Sequence, residues 1–248
     1  MEVSIYHLLK TQKINTMKKN ILNSFIYAGA ILLLITSCNK HDEPLQNLII
    51  NGNAELPKYD SIPPNWVNVQ GHWVSFEGDS AHHDNAFAQN GKYFFFAGHD
   101  TLGILQQDVS ISNYAKDIDA HKQQFIFNGY VYSLDQGPNS DQAQIILTGL
   151  DSSKTKIATI FNTDTTRSLN KWRLVADTFF APASTKFVRV QLIAIRHVGG
   201  DNDGYFDNMV LNAMPVENNM ILYIIIAAAV CVLAIILWII MKKRNKNS

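Results

Sequence analysis

Lys186-Phe187-Val188-Arg189-Val190-Gln191-Leu192-Ile193-Ala194-Ile195 alternates without a break. In an extended chain successive side chains point to opposite faces. Val188, Val190, Leu192 and Ala194 therefore share one side, and Phe187, Arg189, Gln191 and Ile193 share the other. The first set reads as a core face and the second as a mixed face.

The same period recurs upstream. In 142–150, Ala143, Ile145 and Leu147 oppose Gln144, Ile146 and Thr148, and in 124–134, Phe125, Phe127 and Val131 oppose Asn128, Tyr130 and Tyr132. Further runs rich in Val, Ile, Phe, Tyr and Thr lie at 48–50, 66–69, 93–96, 104–109, 156–161, 171–179 and 204–211. Clusters such as Asn90-Gly91, Asp151-Ser152-Ser153 and Gly199-Gly200-Asp201-Asn202 separate them. Many short alternating strands with turn residues between them predict an all-β sandwich. Only 113–120 has room for a short helix or turn, and no internal repeat is visible.

Working outward, the chain carries an apolar run at each end. Ile31-Leu32-Leu33-Leu34-Ile35-Thr36-Ser37-Cys38 follows the basic pair Lys18-Lys19. A charged start, a short apolar run and a small residue before a cysteine together predict a bacterial lipoprotein signal over 1–38, with Cys38 as the lipidation site. Met17 is the expected start, because Met17-Lys18-Lys19 supplies the charged segment directly. The alternative is a signal-anchor helix in which Cys38 is incidental. Polar residues 39–46 then form a tether, 47–213 the domain and 214–219 a linker.

Residues 220–241 hold no charge, and Lys242-Lys243-Arg244 begins the basic tail 242–248. At about 1.5 Å per residue the run would reach roughly 33 Å, enough for a hydrocarbon core of about 30 Å. A C-terminal transmembrane helix with a cytoplasmic tail is the expectation, since positive charge marks the inner side. Tyr223 and Trp238 stand near its two ends, where aromatic rings favour the headgroup region. A buried soluble helix is the alternative. A span with a basic tail also suits a C-terminal sorting signal cut by a transpeptidase, with Met214-Pro215-Val216-Glu217 as its recognition site.

The formal net charge is zero, and basic residues gather at the two ends, so the exported domain is mildly acidic. This argues against nucleic acid as a partner. The two cysteines are Cys38 and Cys231, one in each apolar run, so the domain has no disulfide to form. No nucleophile elbow, phosphate-binding loop or dinucleotide fingerprint appears. Asp201-Asn202-Asp203-Gly204 echoes the start of an EF-hand loop, but Asn212 stands where a bidentate glutamate is required. His82-His83-Asp84 and His99-Asp100 lack zinc-type spacing. A carboxylate pair for glycoside hydrolysis leaves no trace in sequence spacing.

Tyrosine rings beside amides and an arginine suit a sugar, whose ring stacks on aromatic faces while its hydroxyls need planar hydrogen-bonding partners. Tyr130, Tyr132, Gln144, Arg189 and Gln191 are candidate ligand-binding residues on one concave sheet, with Trp66 and Trp73 as loop candidates. The alternative is a solvated face of cross-strand pairs.

Asn47-Leu48-Ile49-Ile50-Asn51-Gly52-Asn53-Ala54-Glu55 with Pro64-Asn65-Trp66 resembles the opening of jelly-roll carbohydrate-binding modules of the family 4/9 type, in the galactose-binding-like superfamily. Asp203-Gly204-Tyr205-Phe206-Asp207-Asn208-Met209-Val210-Leu211 resembles their last strand, and Asn90-Gly91-Lys92-Tyr93 and Leu105-Gln106-Gln107-Asp108 fall in order between. The resemblance covers 47–211 and implies a jelly-roll β-sandwich. It also implies a structural Ca²⁺ where the first and last strands meet, held by Glu55 and Asp207; the alternative is that both carboxylates bind backbone at strand ends.

The expected protein is a non-catalytic, exported binding module, membrane-anchored with its domain facing the periplasm or cell surface, whose partner is a polysaccharide or another envelope or extracellular polymer. A structural module that packs on an envelope protein is the other reading, and a hydrolase is a third.

Overall fold

The computed structural model describes residues 45–56, 62–78, 87–216 and 220–244. The chain divides into two compact units, Met1–Pro44 and Leu45–Ser248. The first lies outside the described residues, and with it the expected signal, Met17 and Cys38. So do His82, His83 and Asp84.

The second unit holds ten strands among its described residues: β1 (Val67–Gln70), β2 (Val74–Glu77), β3 (Tyr93–Phe96), β4 (Leu102–Ser110), β5 (Gln124–Ser133), β6 (Gln142–Leu150), β7 (Lys156–Asn162), β8 (Arg173–Phe180), β9 (Phe187–Ile195) and β10 (Gly204–Ala213). They form two five-stranded sheets, in the orders β1-β4-β9-β6-β7 and β2-β3-β10-β5-β8. Every named pairing is antiparallel. The domain is thus an all-β sandwich.

Alternation decides which side chains meet between the sheets. Val188, Val190, Leu192 and Ala194 of β9 are fully buried, as are Ala143, Ile145 and Leu147 of β6 and Phe125, Phe127 and Val131 of β5. All belong to one continuous core. A bulge in β10 between Asp207 and Val210 shifts its register against β5. Asn208 there adopts a φ of 52°, which a short polar side chain tolerates better than a branched one.

Residues 48–50 do not form a strand, although their composition predicts one. Two side-chain amides, one exposed and one buried, take over the pairing. Asn47 Oδ1 accepts from Ile49 N at 3.0 Å and from Leu211 N at 2.9 Å, while its Nδ2 donates to Met209 O at 3.0 Å. Gln107, on the inner row of β4, accepts from Ile50 N at 2.9 Å and donates to Ile50 O at 2.9 Å and Asn65 O at 3.1 Å. The opening segment is thereby stitched to β10 on one side and β4 on the other.

A 3-10 turn at Ser112–Tyr114 runs into the short helix α1 (Ala115–Asp119), where a short helix or turn is expected. Beyond the sandwich, α2 (Met220–Arg244) is one helix of 25 residues over the apolar segment and the start of the basic tail. Some of its side chains lie outside the described set, and among the described residues no helix is long and apolar enough to cross a membrane.

Candidate functional site

The expected ligand-binding residues divide between the two sheets. Tyr130 and Tyr132 stand on β5, and Gln144, Arg189 and Gln191 on β6 and β9 of the other sheet. A single concave sheet carrying all five is therefore corrected. They occupy the outer faces of opposite sheets, with the core between them.

On the β4-β9-β6 face the polar groups are already paired. Arg189 Nε and Nη2 donate to Asp108 Oδ1 and Oδ2 at 2.7 and 3.0 Å, and Lys154 Nζ lies 3.1 Å from the same carboxylate. The Arg189 fork, followed by Lys154, holds the Asp108 carboxyl below its ordinary range against the opposing effect of burial, and Asp108 raises Arg189 in turn. Gln191 Nε2 donates to Gln106 Oε1 at 3.2 Å and Gln144 Nε2 to Asn162 Oδ1 at 2.8 Å. This is a face of cross-strand pairs, with its donors directed at acceptors on neighbouring strands.

Trp66 and Trp73 are core residues, 5% and 1% exposed, and not loop platforms. Each satisfies its indole N–H on a backbone carbonyl, Trp66 on Asn51 O at 3.1 Å and Trp73 on Gln70 O at 3.0 Å. Their rings lie against Phe95 and Phe206 respectively. A tryptophan so satisfied gains more from burial than from presenting its ring to solvent.

The β2-β3-β10-β5-β8 sheet has a different outer face. Phe94, Phe96, Tyr132 and Tyr205 form a second apolar cluster outside the main core, with Val74, Phe76, Ala88 and Trp172 packed against it. Tyr205 and Tyr132 face each other in register across β10 and β5, and their rings stack at 5.5 Å. Trp172, just ahead of β8, continues the row at 5.4 Å from Tyr132. Tyr205 Oη donates to Asp203 Oδ1 at 2.5 Å, and burial, then the Asp203 charge, pushes the phenol far above its ordinary range.

Residues 87–93 cross this face. Trp172 Nε1 donates to Phe87 O at 2.8 Å, and Gln89 N and Asn90 N donate to Asp207 Oδ2 at 2.8 and 3.2 Å. Asn208 Nδ2 also donates to Gln89 Oε1. At the far end Glu55 Oε1 accepts from Lys92 N at 2.7 Å and Tyr93 N at 2.8 Å. Phe94 and Tyr205, with Ala88 of this segment packed on their cluster, are fully buried. Solvent reaches the face along β8: Tyr130 and Trp172 are half-buried, and Leu174 and Phe87 are 52% and 56% exposed. Tyr130 pairs in register with both Asp207 and Leu174.

Glu55 and Asp207 thus meet where the opening segment and the last strand join, and both bind backbone amides there. Burial pushes Asp207 up to about 7, against the pull of the Asn90, Asn208 and Gln89 amides, and the Glu55 charge adds to the rise. Among the described residues no three His, Cys, Asp or Glu side chains group as a metal site. Two neighbouring carboxylates with one buried are nonetheless a donor set of the hard-oxygen kind that calcium takes. Their amide partners supply no metal ligand, so a cation would complete its shell from carbonyls.

Phe94, Phe96, Tyr205 and Trp172 escaped the alternation argument. The signal for them is the run Phe94-Phe95-Phe96 and the pair Tyr205-Phe206: consecutive aromatics in a strand mean that both faces are apolar.

No protein-family model matches the chain, and none of the curated proteins matches it. Among solved structures it is similar to the enzymatically active domain of tailspike protein 4 of bacteriophage CBA120, at 12% identity and a TM-score of 0.47, over 68% of this chain and 21% of that one. It is also similar to a cyclase from Fischerella sp. TAU, at 14% identity and a TM-score of 0.46, over 68% of this chain and 97% of that one. A family 16 carbohydrate-binding module matches at 17% identity and a TM-score of 0.45, over 66% of this chain and 99% of that one. Likenesses this remote leave ligand and chemistry to the residues themselves.

Proposed function

We propose that the protein is a non-catalytic, exported binding module, held at a membrane, that takes a carbohydrate or another extracellular polymer on the β8 side of the β2-β3-β10-β5-β8 face. The observation that carries this reading is Trp172. Its ring is half-buried on Phe94 and Tyr132 and its N–H is tied to Phe87 O, so it is fixed rather than free to collapse. Tyr130, Leu174 and Phe87 extend the surface beside it. Pre-set aromatic rings bind sugar rings at low entropic cost.

The test is a glycan array with the full chain in detergent. Trp172→Ala and Tyr130→Ala should each lower retention about tenfold, roughly the 1.4 kcal/mol expected for one stacking ring, while Phe180→Ala, at the other end of β8, should not. Equal retention by all three variants overturns the site.

The membrane part of the reading rests on residues 220–241, which hold no charge, and on Lys242-Lys243-Arg244 behind them. Lys242 Nζ lies 4.7 Å from the Trp238 ring centroid, a pairing suited to an interface where both side chains leave the apolar layer. Lipidation of Cys38 places the domain at the periplasm or cell surface. Mass spectrometry of the mature protein would settle Cys38 and the fate of the C-terminal span, which a sorting transpeptidase would remove.

Structural calcium at Glu55 and Asp207 belongs to the same reading. It would neutralise two close carboxylates and tie the opening segment to β10. EGTA should lower the melting temperature; an unchanged melt removes the metal from the account.

A second reading has one observation in its favour. Phe94, Phe96, Tyr132 and Tyr205 are buried instead of forming an open row. A face filled in this way suits a structural module that packs on an envelope protein and binds no sugar.

A further inference from the structure

We infer a second ligand site, in the lateral groove between the edge strands β7 and β8, for a sugar unit that carries a carboxylate. The inference rests on the carbohydrate reading above, but its anchor is a different residue, Arg173. The groove has a volume of about 300 Å³ and is lined by Phe161, Thr163, Thr166, Arg173 and Val175, with Leu174 and Ala176 beside them. That volume is at the small end of ligand pockets and suits one ring rather than a chain.

Arg173 makes it a site and not merely the open side of a sandwich. It pairs in register with Val131, a fully buried inner-row residue, so alternation sets it on the row that faces the gap between the sheets. Trp172 and Leu174, its sequence neighbours, take the outer row. The other arginines of the sandwich are engaged: Arg167 on Ser140 O, Arg189 on Asp108 and Arg196 on Gly200 O. Among the described residues the Arg173 guanidinium has no hydrogen bond or ion pair. A guanidinium presents a planar fork that matches a carboxylate with two parallel hydrogen bonds.

The surroundings narrow the ligand. Phe161 and Val175 supply an apolar wall for the C–H face of a ring. Thr163 Oγ1 already donates to Asp164 O and accepts from Ile145 N, so it leaves Arg173 as the main polar anchor. Arg173 is the one cation in the lining and accommodates a single negative charge, and the Asp164 carboxylate in the adjoining loop opposes a further one. A phosphate dianion would bring a second charge with no second cation in the lining.

The test is calorimetric titration of the full chain in detergent micelles with galacturonic acid, galactose, acetate and inorganic phosphate. Galacturonic acid should bind saturably and more tightly than the other three. Arg173→Gln, at an exposed position, should lower that affinity at least tenfold with an unchanged melt, and Arg173→Lys should recover only part of it. Trp172→Ala should leave it intact, which separates this site from the aromatic face: glycan retention unchanged in Trp172→Ala and Tyr130→Ala, with galacturonate still bound through Arg173, would refute the proposed function alone. Galacturonate affinity unchanged in Arg173→Gln, or lost in Trp172→Ala, overturns the groove as the site. Equal binding of phosphate overturns the carboxylate, and equal binding of acetate overturns the sugar.

Discussion

Gln107→Leu is the sharpest probe of how the sandwich is closed. Gln107 sits on the inner row of β4 at 7% exposure, where alternation calls for an apolar residue, and its amide makes three hydrogen bonds to Ile50 and Asn65. Leucine keeps the volume and removes all three. At about 1 kcal/mol net per bond the loss is about 3 kcal/mol. For a domain of this size each kcal/mol is worth about 2–4 °C. The melting temperature should therefore fall by about 6–12 °C, read by differential scanning fluorimetry on the full chain. Gln107→Glu should cost at least as much, because it retains the acceptor for Ile50 N but turns a second acceptor, charged at neutral pH, toward the Ile50 and Asn65 carbonyls. A loss below about 0.5 kcal/mol in Gln107→Leu, the scale of an ordinary surface change, would show that the Gln107 bonds do not hold residues 48–50 in place and refute the reasoning.

Other perturbations test separate layers. Gly52→Ala should be severe, since a Cβ there would lie 2.0 Å from Met209 O, which is backbone and cannot step aside; equilibrium denaturation should show a loss of stability that Gly137→Ala, with nothing within 4 Å of its Cβ, does not match through crowding. Phe127→Ala should cost about 3–5 kcal/mol by urea titration, the range for an emptied aromatic core position. Asp108→Asn should cost about 1.5–3 kcal/mol at neutral pH, the worth of a hydrogen bond to a charged group. Because Arg189 depresses the Asp108 carboxyl in the folded state, its contribution is present above the unfolded value of about 3.9 and fades as pH falls through the folded value, so the two melting curves should converge in acid. Asp207 has the opposite sign. Raised to about 7 in the fold, it favours the folded state most below its unfolded value and loses that contribution as pH rises toward 7. In EGTA the melting temperature should decline across that window for the wild type and not for Asp207→Asn.

Much of the sandwich is legible in alternation, because a buried face leaves a period of two that no other structure reproduces. The 186–195 stretch and its neighbours 142–150 and 124–133 place their apolar rows correctly for this reason. Alternation fails where side chains do the work of backbone. Residues 48–50 have strand composition, yet Asn47 and Gln107 bond their amides and carbonyls in place of a neighbouring strand. It also missed β2, whose Val74-Ser75-Phe76-Glu77 is too short to show a period. The candidate site was less accessible still. Period alone shows that Tyr130 and Arg189 leave the core, but not that they leave it in opposite directions, since the assignment of strands to sheets is a long-range property. Trp66 and Trp73 sit among loop-like residues, and only the carbonyls that meet their N–H groups explain why they are inside.

The antiparallel run of the opening segment against β10 also has a mechanical consequence. Asn212 Nδ2 reaches Leu45 O and Gln46 O, Leu48 N bonds Leu211 O at 2.8 Å, and Met209 N bonds Gly52 O at 2.7 Å. Both chain ends of the sandwich consequently depart from the same end of this seam. Tension applied across them loads the Leu45–Asn212 contact first and the Gly52–Met209 contact last, so the seam peels one bond at a time and never shares the load. Such a joint yields at low force. An attachment at each end would therefore make the opening segment a weak link that gives way under stretch, long before the sheets behind it part.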